Sequence, residues 1–495
     1  MKRLFILLIF LLPLQLVARP FPIDFSRVGY MWGEKPIPDY PICVTLTSPG
    51  DGDATALIQN ALDEVPSGGA VLLKEGVYNI EGRLVMDRDG VVLRGEGLGT
   101  VLVASGKQKR SLVTIGKTTQ REILDKSRIV DKLTPAGQMW VRVEEPDGFS
   151  VGDKVTICLT PNNNWISALR MDQIAQNKDN RVKQWKARSF VMRWERVVTK
   201  VKGDKVWLDN PVAMELNEKY MQSAYLEHVS WDRTMACGVE NMCMVSEYDS
   251  TVVAVQKRRK APGLEYMADE EHAWLAVEVL AAEHCWIRDI QSQHFALGLA
   301  HMQEGAKNVT VRNCTCLDPI SVLTGSRRYA FYFSGAELCL VDNCRATYDR
   351  HGFATSAKTP GPNVYVDCVM ENAFSDVGPH HRWASAVLYD NCETDGLLAV
   401  QDRAGYGTGH GWAGVNFVFW NCVAETLICQ SPWVSGYNWC MGCMGVKQPG
   451  RTYSDGIVRP DGVWKSHGKR MKPASLYRSQ LSSRSQKVTK MLGLL

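Results

Sequence analysis

Beyond its opening residues the chain has no long apolar run, so no later stretch could cross a bilayer as a helix. It also has no dominant charge. The formal net charge is +4, and Lys2, Arg3 and Arg19 supply most of it. Residues 20–495 are therefore close to neutral, which excludes nucleic acid binding by bulk charge; any pull on an acidic ligand must be local. Cys and His nowhere take a zinc-site spacing. The candidate site region has no consecutive run of acidic ligands either. No metal is assigned, and calcium held by scattered aspartates is the one cofactor left open. The apolar residues 4–16, after Lys2-Arg3 and before Ala18, read as an export leader over 1–19. No Cys follows that leader closely, so a bacterial lipid anchor is not expected. A secreted or periplasmic protein without a membrane span is expected.

One short phrase returns through the second half of the chain. It runs Val309-Thr-Val-Arg-Asn313-Cys314, Leu340-Val-Asp-Asn343-Cys344, Tyr365-Val-Asp367-Cys368, Leu388-Tyr-Asp-Asn391-Cys392 and Val418-Phe-Trp-Asn421-Cys422. Successive cysteines lie 30, 24, 24 and 30 residues apart; Cys285 precedes the series by 29 and Cys443 follows by 21. A strand-sized phrase at such a period marks a solenoid, whose turns bury their hydrophobic edges only against one another. Period-two alternation and β-branched and aromatic residues favour strands over helices. The expected fold is all-β, a right-handed parallel β-helix with Asn and Cys in register. Fifteen cysteines, an odd number, mostly at one repeat position, point to a reduced buried stack rather than to disulfides.

The predicted organisation is a leader (1–19), a cap with the first coils (20–104), a β-rich insertion (105–235), the main solenoid (236–448) and a C-terminal tail or cap (449–495). In the cap, Asp53 or Thr55 can begin a helix whose apolar face is Ala56, Ile58, Ala61 and Leu62. In the insertion, Gly152-Asp and Gly203-Asp mark hairpin turns. Residues 162–194, rich in Trp, Arg, Gln and Lys, form an arm expected to cover one side of the solenoid.

Gly50-Asp-Gly-Asp-Ala-Thr-Ala-Leu-Ile-Gln-Asn-Ala-Leu-Asp63, followed by Gly69-Ala-Val-Leu-Leu and Gly76-Val-Tyr, resembles the opening of the pectate-lyase-like β-helix superfamily. That resemblance implies a helix plugging the first coil. Glu240-Asn241, Arg350-His-Gly-Phe353, Gly378-Pro-His-His-Arg-Trp383 and Gly409-His-Gly-Trp412 resemble a group of secreted, polysaccharide-lyase-like β-helix proteins of bacteria. Gly409-His-Gly411 is also similar to a short polygalacturonase motif. The Asn-Thr-Asp, Asp-Asp and Arg-Ile-Lys elements of that family are missing, so its mechanism is not carried over.

Solenoid stacking brings residues of equal phase within about 4.8 Å of each other. Arg328, Lys358 and Arg382 each lie 14 positions after their Cys, and are expected to form a cationic stripe that clamps a carboxylate or sulfate. His-x-Trp occurs at His272, His381 and His410; Trp383, Trp412 and Trp433 are candidate sugar platforms, with His380, Arg403 and Tyr406 as further substrate contacts. The candidate catalytic groups are His351, His381, His410, Asp349, Asp376 and Asp402. β-Elimination from a uronoside needs a neutralised carboxylate, a base for the C5 proton and an acid for the leaving oxygen. The stripe, the imidazoles and Tyr329 or Tyr406 could supply them. Hydrolysis by paired aspartates is the alternative, and a non-catalytic glycan binder is the third reading. The expected partner is an acidic polysaccharide or oligosaccharide; the sequence leaves the oligomeric state open.

Overall fold

The computed structural model describes residues 23–256, 263–450 and 455–491; the leader and the basic residues 257–260 lie outside them. No described helix is long and apolar enough to cross a membrane. The chain winds as a right-handed parallel β-helix with three walls. Wall one stacks Thr310–Arg312, Leu340–Asp342, Asn363–Val366, Val387–Asp390 and Val418–Trp420 in parallel. Wall two stacks Thr315–Leu317, Arg345–Thr347 and Val369–Glu371. Wall three stacks Gly298–Met302, Phe331–Phe333, Phe353–Thr355 and Asp376–Pro379.

The repeated Asn is the corner between walls one and two. Asn241, Asp289, Asn313, Asn343, Asp367, Asn391 and Asn421 all have φ between 53° and 63°. Only Gly, Asn and Asp enter that left-handed region at low cost, so the position is held by backbone geometry. Asn343 Nδ2 also donates to Asn313 Oδ1 (2.8 Å), and Asn313 Nδ2 to Asp289 Oδ1 (3.0 Å), tying successive coils together. The next residue points inward. Cys314, Cys344, Cys368, Cys392, Cys422 and Cys443 are buried free thiols in one column.

The helix Thr55–Glu64 buries Ile58, Ala61 and Leu62 at the start of the solenoid, and Asp53 Oδ1 accepts from the Thr55 amide (2.9 Å). Two boundaries differ from those expected. Ser111–Gly116, inside the stretch assigned to the insertion, pairs in parallel with Leu275–Leu280 and is a wall-three strand. Val463–Lys465 pairs with Trp439–Met441, so the solenoid continues past 448. The helix Leu476–Met491 lies beside wall one, where Ser475 Oγ and the Tyr477 amide donate to Asp390.

The insertion leaves the corner between walls three and one and forms a six-stranded antiparallel sheet. Its tightest hairpin pairs Lys202 with Lys205 around Gly203 at φ 59°. A second hydrophobic core joins the sheet to the outer side of wall one, through Leu340, Val364, Leu388 and Val418. A buried ionic seam adds to it. Glu283, Lys307 and Glu337 stack on successive coils. Lys307 and Arg233 both pair with Glu195 of the insertion, and Arg196 pairs with Glu337 (3.2 Å).

Candidate functional site

Four imidazoles from three successive coils meet on the outer side of wall three. Tyr329 and His351 stand on the corner preceding the wall and stack at 5.0 Å between ring centroids. His380 follows the strand Asp376–Pro379, with its ring 4.5 Å from His351 and 5.1 Å from His381. His410, one coil further, lies 4.9 Å from His380 and 5.0 Å from His381. Small residues make room for this convergence. A Cβ on Gly378 would come within 2.1 Å of the Ala399 carbonyl oxygen, and one on Gly407 within 2.3 Å of the His410 ring.

The hydrogen bonds orient several of these rings. His351 donates from Nδ1 to the Asp376 carbonyl oxygen (2.8 Å), which leaves Nε2 as a buried lone pair without a partner. The Tyr329 hydroxyl lies 3.3 Å from His380 Nε2, and Arg403 Nη1 lies 3.4 Å from His380 Nδ1. Arg403 also pairs with the Asp376 carboxylate (2.8 Å), which accepts from Ser375 Oγ (2.9 Å). Nδ1 of His381 and Nδ1 of His410 are likewise buried and unpartnered. Three imidazole nitrogens at one place are thus without protein partners.

Burial keeps the rings neutral. It pushes His351 and His410 down to about 3 and His381 down to about 4, with neighbouring cationic groups adding to the shift of His381 and His410. His380 falls well below the usual histidine range through burial, with the adjoining His351 ring and the Arg403 guanidinium opposing its protonation further. Burial alone would raise Asp376, but Arg403 and His351 hold it below the usual carboxylate range. Burial raises the Tyr329 hydroxyl, and Arg350 beside it moderates the rise.

The arm 162–191 holds the outer edge of this cluster. Asn177 Nδ2 donates to Gly405 O (3.0 Å) and Gly407 O (2.8 Å), the Lys183 amide to Thr408 O (3.1 Å), and Trp185 Nε1 to Gly409 O (3.1 Å). Arg382 grips the same loop from the solenoid side, through Thr408 Oγ1 (2.7 Å).

Several expected site residues lie elsewhere. The cationic stripe does not form. Arg328 stands before wall three, where the His351 amide donates to its carbonyl, whereas Lys358 and Arg382 stand after it. Loops 318–330, 348–352 and 372–375 differ in length, so an equal offset from Cys is not an equal phase. Arg328 is buried and donates to Ser321 O (2.7 Å) and Tyr348 O (3.2 Å). Asp349 is sealed in the interior, and burial raises its carboxyl well above the usual range. Asp402 is also buried; it accepts from the Ala404 amide and pairs with Arg459 (2.9 Å). Neither aspartate faces the cluster, which corrects their catalytic assignment. His351 is fully buried too, so it can act only through its neighbours.

The tryptophans of His-x-Trp point away from their histidines. Trp383 and Trp412 are 1% and 0% exposed, which removes them as sugar platforms. Trp383 packs edge-on to Trp165 of the arm (4.8 Å) and donates to Met214 Sδ. Trp433 packs edge-on to Trp412 (5.4 Å), outside the histidine cluster. Trp274 and His272 belong to the corner before wall three. Tyr406 is exposed at the rim, with the Arg403 guanidinium 6.0 Å from its ring. Among the described residues, no group of three His, Cys, Asp or Glu side chains is arranged to hold a metal ion. Arg350, beside Tyr329, joins the site without being singled out by the sequence reading; its one signal is that it immediately precedes His351 and the wall-three strand Phe353–Thr355.

No protein-family model and no curated sequence matches the chain. Solved structures align with it at low identity. The tailspike protein gp49 from Pseudomonas phage LKA1 gives a TM-score of 0.46 at 13% identity, over 79% of this chain and 56% of that one. The chain thus spans little more than half the length of that tailspike. Alginate lyase from Paenibacillus sp. str. FPU-7 gives 0.39 at 9%, over 87% and 99%. Polygalacturonase from Erwinia carotovora ssp. carotovora gives 0.38 at 9%, over 88% and 98%. At these identities the reaction must be argued from the residues of this chain.

Proposed function

We propose that this protein is an exported carbohydrate-active enzyme, a polysaccharide lyase that cleaves a uronic-acid-containing glycan by β-elimination. The observation that carries the reading is the composition of the corner. Neutral imidazoles and a tyrosine hydroxyl gather beside the guanidinium groups of Arg350, Arg382 and Arg403, and the one carboxylate among them, Asp376, is already paired with Arg403. Hydrolysis would call for two carboxyl groups about 5–9.5 Å apart across the bond. Asp349 and Asp402 are buried away from the cluster and do not supply a second one.

In this reading the guanidinium groups offset the charge of the substrate carboxylate, which makes its C5 proton more acidic. The half-buried ring of His381 takes that proton through its more exposed edge, and His410 flanks it. The C5–H electron pair forms the C4=C5 double bond as the C4–O4 bond breaks, and the Tyr329 hydroxyl protonates the departing O4. His351 and Asp376 are positioning residues that hold Tyr329 and His380 in place.

A screen of acidic glycans tests this, read by ultraviolet absorbance of the unsaturated product and by reducing-end release. Absorbance with wild type and its loss in His381→Ala, at unchanged melting temperature, is the expected result. Reducing ends without absorbance would replace the lyase by a hydrolase. Wild-type turnover in His381→Ala would overturn the base assignment.

A further inference from the structure

A large cavity lies beside the histidine corner, between the insertion sheet and the corner joining walls three and one. Its volume is about 790 Å³, within the range of ~300–1,000 Å³ typical of ligand clefts. The walls mix amide, hydroxyl, aromatic and cationic groups. Half-exposed Trp231 forms one platform, held by a hydrogen bond from Nε1 to Thr119 Oγ1 (3.0 Å) and by the Arg233 guanidinium 4.3 Å from its ring. Arg193 and Lys358 are exposed at the lining and have no carboxylate partner among the described residues; the exposed acid beside them is Glu304. The inner charges Arg233 and Glu195 neutralise each other.

The cavity also leads to the site. Residues 357, 358 and 360 form its far wall, the Lys358 amide donates to Arg382 O (2.9 Å), and the Arg382 amide donates to His410 O (3.0 Å).

We infer that this cavity is a binding subsite for anionic sugar units of the same chain that is cleaved at the histidine corner. Trp231 stacks a ring, and Arg193 and Lys358 pair with carboxylate or sulfate groups. The ligand class rests on the glycan reading of the histidine corner; the cavity and its exposed cationic lining do not.

The test is calorimetry on the full chain carrying His381→Ala. The probes are hexamers and dimers of galacturonate, glucuronate, mannuronate and guluronate, with maltohexaose and cellohexaose as neutral controls. At least one anionic hexamer should bind ~10-fold or more tightly than its dimer and than the neutral hexamers. Arg193→Gln combined with Lys358→Gln should weaken that hexamer about 10-fold. No binding by any anionic hexamer, or hexamer affinity unchanged within about twofold in the double variant, overturns the inference. The two readings fail separately. Loss of hexamer binding in the double variant, with no ultraviolet product from wild type, keeps the subsite and removes the lyase. Ultraviolet product with full binding in the double variant does the reverse.

Discussion

Replacing His351 by asparagine should flatten the acid limb of the stability profile. In the unfolded chain this imidazole takes a proton near pH 6.5. In the folded protein burial lowers it to about 3, so the ring stays neutral across the interval. Between the two values the unfolded state binds more protons, and stability must fall as the pH falls. Each unit of separation is worth about 1.4 kcal/mol. Going from about pH 7.5 to about pH 4.5 should therefore cost wild type roughly 2.7 kcal/mol through this residue alone. The carboxamide of the variant does not titrate, so wild type should lose about that much more than His351→Asn. Urea unfolding across this pH range measures the difference, with the tryptophan fluorescence of the whole chain as the probe. Groups common to both proteins cancel in the comparison. Parallel profiles would show that His351 is protonated in the fold and would remove the neutral-imidazole argument on which the proposed base depends.

Lys307→Met should cost about 3–5 kcal/mol, because it leaves Glu195 and Glu283 short of a buried cation. Hydrogen exchange should then rise across Lys154–Pro161 of the insertion and stay unchanged in coils remote from the seam; uniform loss of protection would contradict that localisation. Asp402→Asn should lower the melting temperature through its broken pair with Arg459 and keep turnover within about threefold. A thousandfold loss would return Asp402 to the chemistry.

The solenoid was legible because its repeat is imposed by the backbone. A corner at φ near 55° admits Asn, Asp or Gly, and the adjoining interior column admits a small apolar group, so Asn-Cys recurs whatever surrounds it. The convergence of His380, His381 and His410 was legible for the same reason, since they follow wall three on adjacent coils. The stripe was not, because the loops before wall three vary in length and counting from Cys crosses them. Nor was the division within His-x-Trp. Arg382 and Trp383 both have positive φ, 50° and 65°, which turns the indole into the insertion core while the imidazole stays outside. Local spacing carries no trace of the arm that awaits it.

The cysteine column bears on how the protein ages. Oxidants and exchanging disulfides attack the thiolate, and burial pushes Cys344, Cys392 and Cys422 well above the ordinary thiol range. While folded, these three sulfurs behave as hydrocarbon and survive in air. Once heat opens the coils, those thiols regain ordinary acidity and can cross-link at random. Thermal damage to this chain should therefore be one-way, cumulative with time, and repairable only where reductant is present before cooling.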